Sequence, residues 1–376
     1  MKRKIFVLST SRADFGLIYP IISFLKKKAD VKIILSGSHF EKIFGYTYKE
    51  VIKKNIDIGF KFKFKYKAQT KLNLLLNLSE YFKKLSIFFH KNNCDLFLIL
   101  GDRYETLISA FAANFNGIPI AHISGGEVTE GSKDDSFRHA ISKLSSLHFV
   151  SHKEHKTRLI QLGENKKNIF NFGSLGIENV SNTKLIKKEE IEKELRIKFN
   201  ENNICVTYHP NTIVENKNER DFKILMEALL DINQCNIFIL SPNADYGNKD
   251  IFKMINYYTK NYKNVFFIEN LGVVKYFSLI RECNICIGNS SSILTEVPYI
   301  KKFSINVGDR QKGRVAPKNV INVPFDKKKI YNKILHLLKK NKNIEICNIN
   351  KTSIKISNTL IKFNLKKIFP KKFFDL

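Results

Sequence analysis

Residues 96–139 read LFLILGDRYETLISAFAANFNGIPIAHISGGEVTEGSKDDSFRH. The unbroken apolar run Leu96–Leu100 predicts a buried strand, and it ends in Gly101-Asp102-Arg103. An apolar helical stretch follows. A second strand, Ile118–Ile123, ends in Gly125-Gly126-Glu127, and a loop carrying Asp134 and Asp135 then leads into Arg138 and His139. Both strands deliver acidic groups at their carboxyl ends, where open parallel sheets keep their ligand crevice. Carboxylates at that edge, with glycines beside them, suggest chemistry more than packing.

The same alternation extends in both directions. Lys4–Ser9 predicts a buried strand, followed by Ser11-Arg12-Ala13-Asp14-Phe15-Gly16 and an amphipathic helix to about Lys27. Val31–Leu35 is the next strand. Phe60, Phe62 and Phe64 alternate with lysines and predict a half-exposed strand, and a long helical pattern fills Lys71–Lys91. Strands at Leu147–Val150 and near Asn168–Phe172 complete a first doubly wound domain. The charged stretch 183–203 predicts a helical crossing, after which the pattern restarts with strands at Ile204–Tyr208, Ile237–Leu240, Val265–Ile268, Ile285–Ile287, Phe303–Asn306 and Val320–Val323. The expected architecture is therefore α/β, two Rossmann-like doubly wound domains facing a central cleft. Residues 1–182, which carry the carboxylates, form the first domain, 183–353 form the second, and 354–376 form a basic amphipathic helix at the domain junction.

A chain of 376 residues with 43% apolar content can bury two such cores. The formal charge of +29 invites a nucleic-acid reading, but only ten of the 64 basic residues are Arg and the lysines are spread along the whole chain. Abundant Lys, Asn and Ile with no Trp is the composition that AT-rich coding produces. No nucleic-acid partner is expected, although a basic protein does attract phosphorylated metabolites. In a chain whose default cation is Lys, Arg should persist where a planar fork is needed. Arg12, Arg103, Arg138, Arg310 and Arg314 all lie beside Gly, Asp or His at strand ends or helix starts.

The six cysteines lie mostly in or beside apolar strands and read as reduced thiols. Cys283 and Cys286 form a lone CxxC without a second pair, so no metal is expected. The N-terminal apolar run is too short for a signal peptide, and no segment reaches the roughly 18 apolar residues of a membrane span. A cytoplasmic protein without a membrane partner is the expectation, with a homodimer as the default assembly. Neither GxGxxG nor GxxxxGK[ST] occurs where a dinucleotide or ATP would need it.

Several turns after strands carry candidate site residues. Gly288-Asn289-Ser290-Ser291-Ser292 ends a strand and opens a helix, a place where small residues admit a phosphate; Ser-rich turns of this kind are also common as plain N-caps. Glu296, one turn on, can accept two ribose hydroxyls or simply complement the helix N-terminus. Gly308-Asp309-Arg310-Gln311-Lys312-Gly313-Arg314 suggests a diphosphate or sugar contact. His209 ends a strand before Pro210, where a ligand role and a satisfied structural histidine compete. Asn243 and Asp245 lie in the turn Ser241-Pro242-Asn243-Ala244-Asp245. Among the acids, Asp102, Glu127, Asp134 and Asp135 could serve as general acid and base. The ordinary alternative pairs Asp102 with Arg103 or has it cap the next helix, and has Asp134 or Asp135 cap a helix starting near Phe137.

Taken together, SRADFG, GSHF..IFG, LGDRYE, HISGGE, DDSFRHAISKLS, NFGSLG, SPNAD, GNSSSILTEVP and NVGDRQKGR resemble the hydrolysing UDP-N-acetylglucosamine 2-epimerases. The resemblance runs in order from Ser11 to Arg314. It implies a GT-B-like fold, a nucleotide held mainly by the C-terminal domain, and chemistry without metal or cofactor. It further implies a UDP-linked, or GDP-linked, sugar substrate and a free N-acetylmannosamine-type product bound for a sialic- or legionaminic-type acid. By motif, Asp102, Glu127 and Asp134 match the acidic catalytic positions and His209 a catalytic or substrate-contacting histidine. Arg12, Ser290, Ser291, Glu296 and Arg310 match nucleotide contacts, with Arg103, Arg138, His139, Asn243, Asp245 and Arg314 as further substrate contacts. The alternatives are a non-hydrolysing epimerase, a GT-B glycosyltransferase, which would need an acceptor but not three acids in its N-terminal domain, and a basic nucleic-acid binder.

Overall fold

A computed structural model of the chain describes residues 2–42, 45–64, 70–211, 217–242, 248–269, 271–339 and 351–375. Its contacts form two compact units. The first comprises Met1–Glu127, Asp134–Glu178 and Asn350–Leu376; the second comprises Val128–Lys133 and Asn179–Ile349. The six residues between Glu127 and Asp134 thus belong to the second unit, although the chain on either side belongs to the first.

In the first unit the strands are β1 (Lys4–Ser9), β2 (Asp30–Leu35), β3 (Ile58–Lys61), β4 (Leu96–Leu100), β5 (Ile120–Ile123), β6 (Leu147–Val150) and β7 (Ile169–Asn171). Among the described residues they form one parallel sheet in the order β3-β2-β1-β4-β5-β6-β7. Both faces are covered. Ile5 and Val7 of β1 pack with Ile33, Leu35, Leu96 and Leu98 on one side, while Phe6 and Leu8 pack with Ile34, Phe97 and Ile99 on the other. Two-sided burial is why these strands read as continuous apolar runs rather than as alternating ones. The second unit repeats the design with β8 (Asn202–Thr207), β9 (Cys235–Leu240), β10 (Val265–Ile268), β11 (Ile285–Gly288), β12 (Phe303–Val307) and β13 (Val320–Val323), ordered β10-β9-β8-β11-β12-β13. The expected fold class, two doubly wound α/β domains, is what the chain adopts.

Some local expectations need correction. The strand expected through Phe64 stops at Lys61, and Phe62 and Phe64 are buried rather than half-exposed, packed around Tyr81 at ring-centroid distances of 5.0 and 5.4 Å. The stretch 183–203 is helical only over Lys188–Leu195. The helix stops where Arg196 turns left-handed (φ 57°) and the Ile197 amide closes on the Glu192 carbonyl at 3.1 Å. The helix expected near Phe137 begins at Asp134, so both aspartates lie in its first turn. Of the cysteines, Cys205, Cys235, Cys283 and Cys286 are buried and Cys94 is half-buried, all as free thiols; Cys347 lies outside the described residues. No described helix is long and apolar enough to cross a membrane.

The helix Thr352–Lys362 closes the first unit. Its Ile356 and Leu360 enter the core with Ile18, Ile21 and Ile22 of the helix Arg12–Leu25. Glu178 accepts hydrogen bonds from the Ser353 amide and hydroxyl at 2.7 and 2.9 Å, at the end where a helix has spare N–H groups. Arg3 donates to the Leu360 and Phe363 carbonyls at the other end, at 2.5 and 2.9 Å. Leu360→Ala is expected to destabilise the protein by about 2–5 kcal/mol in urea unfolding, the usual cost of a buried leucine, and a loss under about 1 kcal/mol would take this helix out of the core.

Candidate active site

In each sheet the strand order reverses between two strands that leave the centre in opposite directions, β1/β4 in the first unit and β8/β11 in the second. Doubly wound sheets bind ligands beside the carboxyl ends at that point. In the first unit these ends carry Arg12 and Asp102. In the second they carry His209 and Ser290.

Arg12 opens the helix that follows β1. Its neighbours fix that turn: Ser11 accepts the Asp14 amide at 3.3 Å as N-cap, and the Asp14 carboxylate reaches back to the Thr10 amide and hydroxyl at 3.0 and 2.5 Å. Arg103 sits at the N-cap position of the helix Tyr104–Phe115, and its fork closes on the Glu105 carboxylate at 3.1 and 3.4 Å. Glu105 is fully buried, and burial raises its pKa while Arg103 opposes the rise. Asp102 therefore neither pairs with Arg103 nor caps that helix. Its carboxylate, 21% exposed, is paired with Arg138, whose side chain is only 1% exposed.

Arg138 comes from the helix Asp134–Leu144, one turn after Asp135, and its other terminal nitrogen lies 3.7 Å from the Asp135 carboxylate. The same carboxylate is 3.5 Å from His139 Nε2. Desolvation lowers the His139 pKa, with Asp135 pulling the other way. Of the two aspartates, Asp135 is thus engaged by Arg138 and His139 of its own helix, and Asp134 stands at the helix start, half-buried. Glu127, also half-buried, follows Gly125 and Gly126 at the end of β5. The first unit therefore gathers Asp102, Asp135, Arg138 and His139 into one charged group, with Glu127 and Asp134 at the two points where the chain leaves the unit and returns.

In the second unit, β11 closes over β8 so tightly that a Cβ on Gly288 (φ 148°) would lie 2.1 Å from the Thr207 carbonyl oxygen. Only glycine fits there. Asn289 then staples the two strand ends. Its Oδ1 accepts the His209 amide at 2.7 Å and its Nδ2 donates to the His209 carbonyl at 2.8 Å. The Asn289 carbonyl in turn accepts from Arg310 Nη1 at 3.2 Å and from Gln311 Nε2 at 2.9 Å. Thus His209, Ser290 and Arg310, each only 8% exposed, are set around one asparagine. Ser290 Oγ accepts from the Ser292 hydroxyl at 3.1 Å, and the Thr295 hydroxyl donates to Glu296. The helix opened by this turn is only Ser292–Thr295 before the chain tightens into Val297–Ile300, so Glu296 sits at a break rather than within a helix, and the helix dipole here is slight.

The loop Asp309–Arg314 does not stand open. Lys312 pairs with Glu130 at 3.0 Å, Arg314 Nε donates to Thr129 Oγ1 at 3.1 Å, and the Glu130 amide donates to the Lys312 carbonyl at 3.0 Å. A Cβ on Gly131 would lie 2.2 Å from the Asp309 carbonyl oxygen. The segment Val128–Lys133, read from sequence as a first-domain loop, is by these contacts part of the second unit. Asn243 and Asp245 lie outside the described residues. Among the described residues no group of three or more His, Cys, Asp or Glu side chains is placed to hold a metal ion.

Sequence reasoning missed Asn289, Arg158 and Glu105. Asn289 looked like one more polar residue in a serine-rich turn. Arg158, in the helix Lys153–Gln161, donates to the Gly126 carbonyl beside Glu127, and no motif pointed to it. Glu105 sits in LGDRYE, where a glutamate in a first helical turn passes for a surface residue.

Comparison with known proteins speaks to the family and the fold. The chain is 38% identical over 324 residues, 85% of its own length and 84% of the relative's, to GDP/UDP-N,N'-diacetylbacillosamine 2-epimerase (hydrolyzing) of Campylobacter jejuni. It is 34% identical over 331 residues, 87% and 84% of the two lengths, to polysialic acid biosynthesis protein P7 of Escherichia coli. Its fold resembles that of Methanocaldococcus jannaschii UDP-GlcNAc 2-epimerase in complex with UDP-GlcNAc and UDP, with a TM-score of 0.79 at 20% identity over 95% of this chain and 99% of that one. The sequence profile described as UDP-N-acetylglucosamine 2-epimerase matches residues 24–355, most of the chain, and the chain belongs to the UDP-N-acetylglucosamine 2-epimerase family of enzymes.

Proposed function

We propose that this enzyme is a hydrolysing 2-epimerase. It takes a nucleotide-linked 2-acetamido sugar and water and releases free nucleoside diphosphate and the free sugar with C2 inverted. The observation that carries the reading is the Asp102–Arg138 pair beside Asp135 and His139 at the β4 end, in a chain 38% identical to a relative named as hydrolysing. That relative's name favours a UDP- or GDP-linked diacetamido sugar, with UDP-N-acetylglucosamine the simplest member of the same substrate class.

The roles follow from the chemistry. The C2 proton of such a sugar is not acidic, so loss of the nucleotide from C1 must lead or accompany its removal. In the first step the C1–O bond to the diphosphate breaks, the C2–H bond gives its electrons to a new C1=C2 double bond, and a carboxylate takes the proton. In the second, water adds its oxygen to C1 and gives up one proton to a carboxylate, while another acid returns a proton to the opposite face of C2. Asp102, Glu127 and Asp134 are the groups assigned to these transfers. Arg12, Arg310, Ser290 and Ser291 are assigned to the nucleotide, with His209 at the sugar or the diphosphate. Cations near the departing phosphate stabilise its growing charge. Glu296 is assigned to the ribose, and Arg103, Arg138, His139 and Arg314 act by shaping the groups around them. A GT-B glycosyltransferase would share the fold but has no need of the acids gathered at β4 and β5.

Proton NMR in deuterated water, with UDP-N-acetylglucosamine and the UDP- and GDP-linked diacetamido sugars in parallel, is expected to show free nucleotide and free sugar carrying deuterium at C2. Product still joined to its nucleotide would overturn the hydrolytic reading, and product without deuterium would overturn the glycal route. Asp102→Asn and Glu127→Gln should each lower turnover by about 100-fold or more, the scale of general acid–base catalysis. Asn289→Ala should weaken UDP binding by about tenfold in calorimetry, since it strips partners from buried groups around His209 and Arg310.

A further inference from the structure

His122, on β5, is fully buried and lies between two groups that matter to the site. Its Nε2 is 2.8 Å from the Gly101 carbonyl oxygen, and its Nδ1 is 3.1 Å from Ser142 Oγ. A carbonyl oxygen only accepts, so Nε2 carries the proton and Nδ1 accepts from the Ser142 hydroxyl. Burial holds the ring pKa down to about 3, and the neighbouring His148, Lys371 and His139 add to that depression. The ring is neutral, in one tautomer, across any working pH.

Each partner leads to a residue of the charged group. Gly101 is the residue before Asp102. Ser142 lies one helical turn beyond Arg138, the cation paired with the Asp102 carboxylate. Asp102 is thus held twice by one helix, at its side chain through Arg138 and at the preceding carbonyl through Ser142 and His122. The third contact is steric: a Cβ on Gly125 would lie 2.8 Å from Ser142 Oγ and 2.9 Å from His122 Nδ1. The backbone two residues before Glu127 therefore rests directly on the His122–Ser142 bond. The far end of the helix is fixed as well. Lys371 donates to the Ser142, Lys143 and Ser145 carbonyls at 3.3, 2.6 and 2.6 Å and meets Glu164 at 2.7 Å.

We propose that His122 is a positioning residue of the reaction, keeping Asp102 and Glu127 in register with the helix that carries Arg138. The proposal rests on the 2-epimerase reading above. His122 touches no reacting atom; it acts through Gly101, Ser142 and Gly125.

The test compares His122→Phe, His122→Gln and Ser142→Ala in the full chain, with the melting temperature recorded for each. His122→Phe removes both hydrogen bonds at similar volume and is expected to lower kcat about 100-fold, the scale on which an ångström of misplacement acts. KM should stay within about threefold, because the nucleotide contacts assigned to the second unit are untouched. His122→Gln keeps an N–H donor that reaches the Gly101 carbonyl and should recover about tenfold of that loss, and Ser142→Ala should fall between wild type and His122→Phe. A purely structural histidine would lower the melting temperature and leave kcat per folded molecule unchanged. That result would overturn the proposal, as would a His122→Gln variant no better than His122→Phe.

A readout without substrate separates this from failure of the functional reading. In nitrogen-15 NMR, Ser142→Ala should shift the Gly101 and Asp102 amide resonances and the Arg138 guanidinium resonance. Unshifted resonances would overturn the positioning role whatever the substrate proves to be, whereas shifted resonances in a protein that turns over no nucleotide sugar would uphold it and overturn the functional reading alone.

Discussion

A parallel strand buried on both faces takes a polar side chain along its length only where a partner is waiting for it, as His122 does on β5, so polarity gathers where strands end. The central strands of both sheets show it most plainly. β1 and β4 are sealed between two apolar layers. The first polar groups appear at Ser9, Thr10, Asp102 and Arg103. In the second unit β8 and β11 are sealed in the same way, and polarity begins at Thr207, His209, Asn289 and Ser290. The charged groups converge because the packing leaves them nowhere else to go, and the strand order decides which ends stand side by side.

Convergence in turn forces the charges to be satisfied by one another. The planar fork that justified singling out arginine in a lysine-rich chain is used, but largely against the protein itself. Arg103 closes on Glu105, Arg138 on Asp102, Arg158 on the Gly126 carbonyl and Arg314 on Thr129. Buried charges that lack partners are costly, so each of these contacts fixes a loop, and the two made to carboxylates neutralise a charge as well. The loops after β4 and β5, and the helix that begins at Asp134, are in this sense held by arginine.

The fold was legible because its signal is collective. The thirteen described strands announced themselves by apolar runs or, for β3, by phenylalanines alternating with lysines, and the helix Lys71–Lys91 was read to both ends. Errors came where one residue's conformation or one distant partner decides the outcome. A left-handed Arg196 ends a helix whose charge pattern would let it continue. Phe62 and Phe64 look half-exposed by their spacing and are buried by Tyr81, a residue of the following helix. The candidate site was legible as a set of residue types and not as pairings. Nothing in LGDRYE says that Asp102 meets a residue 36 positions on while Arg103 meets one two positions on. Nor does EVTEGSK show that its backbone packs on the Asp309–Arg314 loop, since hydrogen bonds across some 180 residues leave no periodic trace.

The return of the chain to its first unit has a consequence for synthesis. The core around Ile18, Ile21 and Ile22 is completed only by Ile356 and Leu360, and the helix Asp134–Leu144 is capped at its end by Lys371. These residues follow the whole of the second unit in sequence order. The half of the protein that is made first is therefore finished second: the second unit has all its strands by Val323 while the first still exposes an apolar groove along the helix Arg12–Leu25. For as long as translation takes to cover that interval, the unit bearing the acids stays incomplete and exposed to chaperones and proteases.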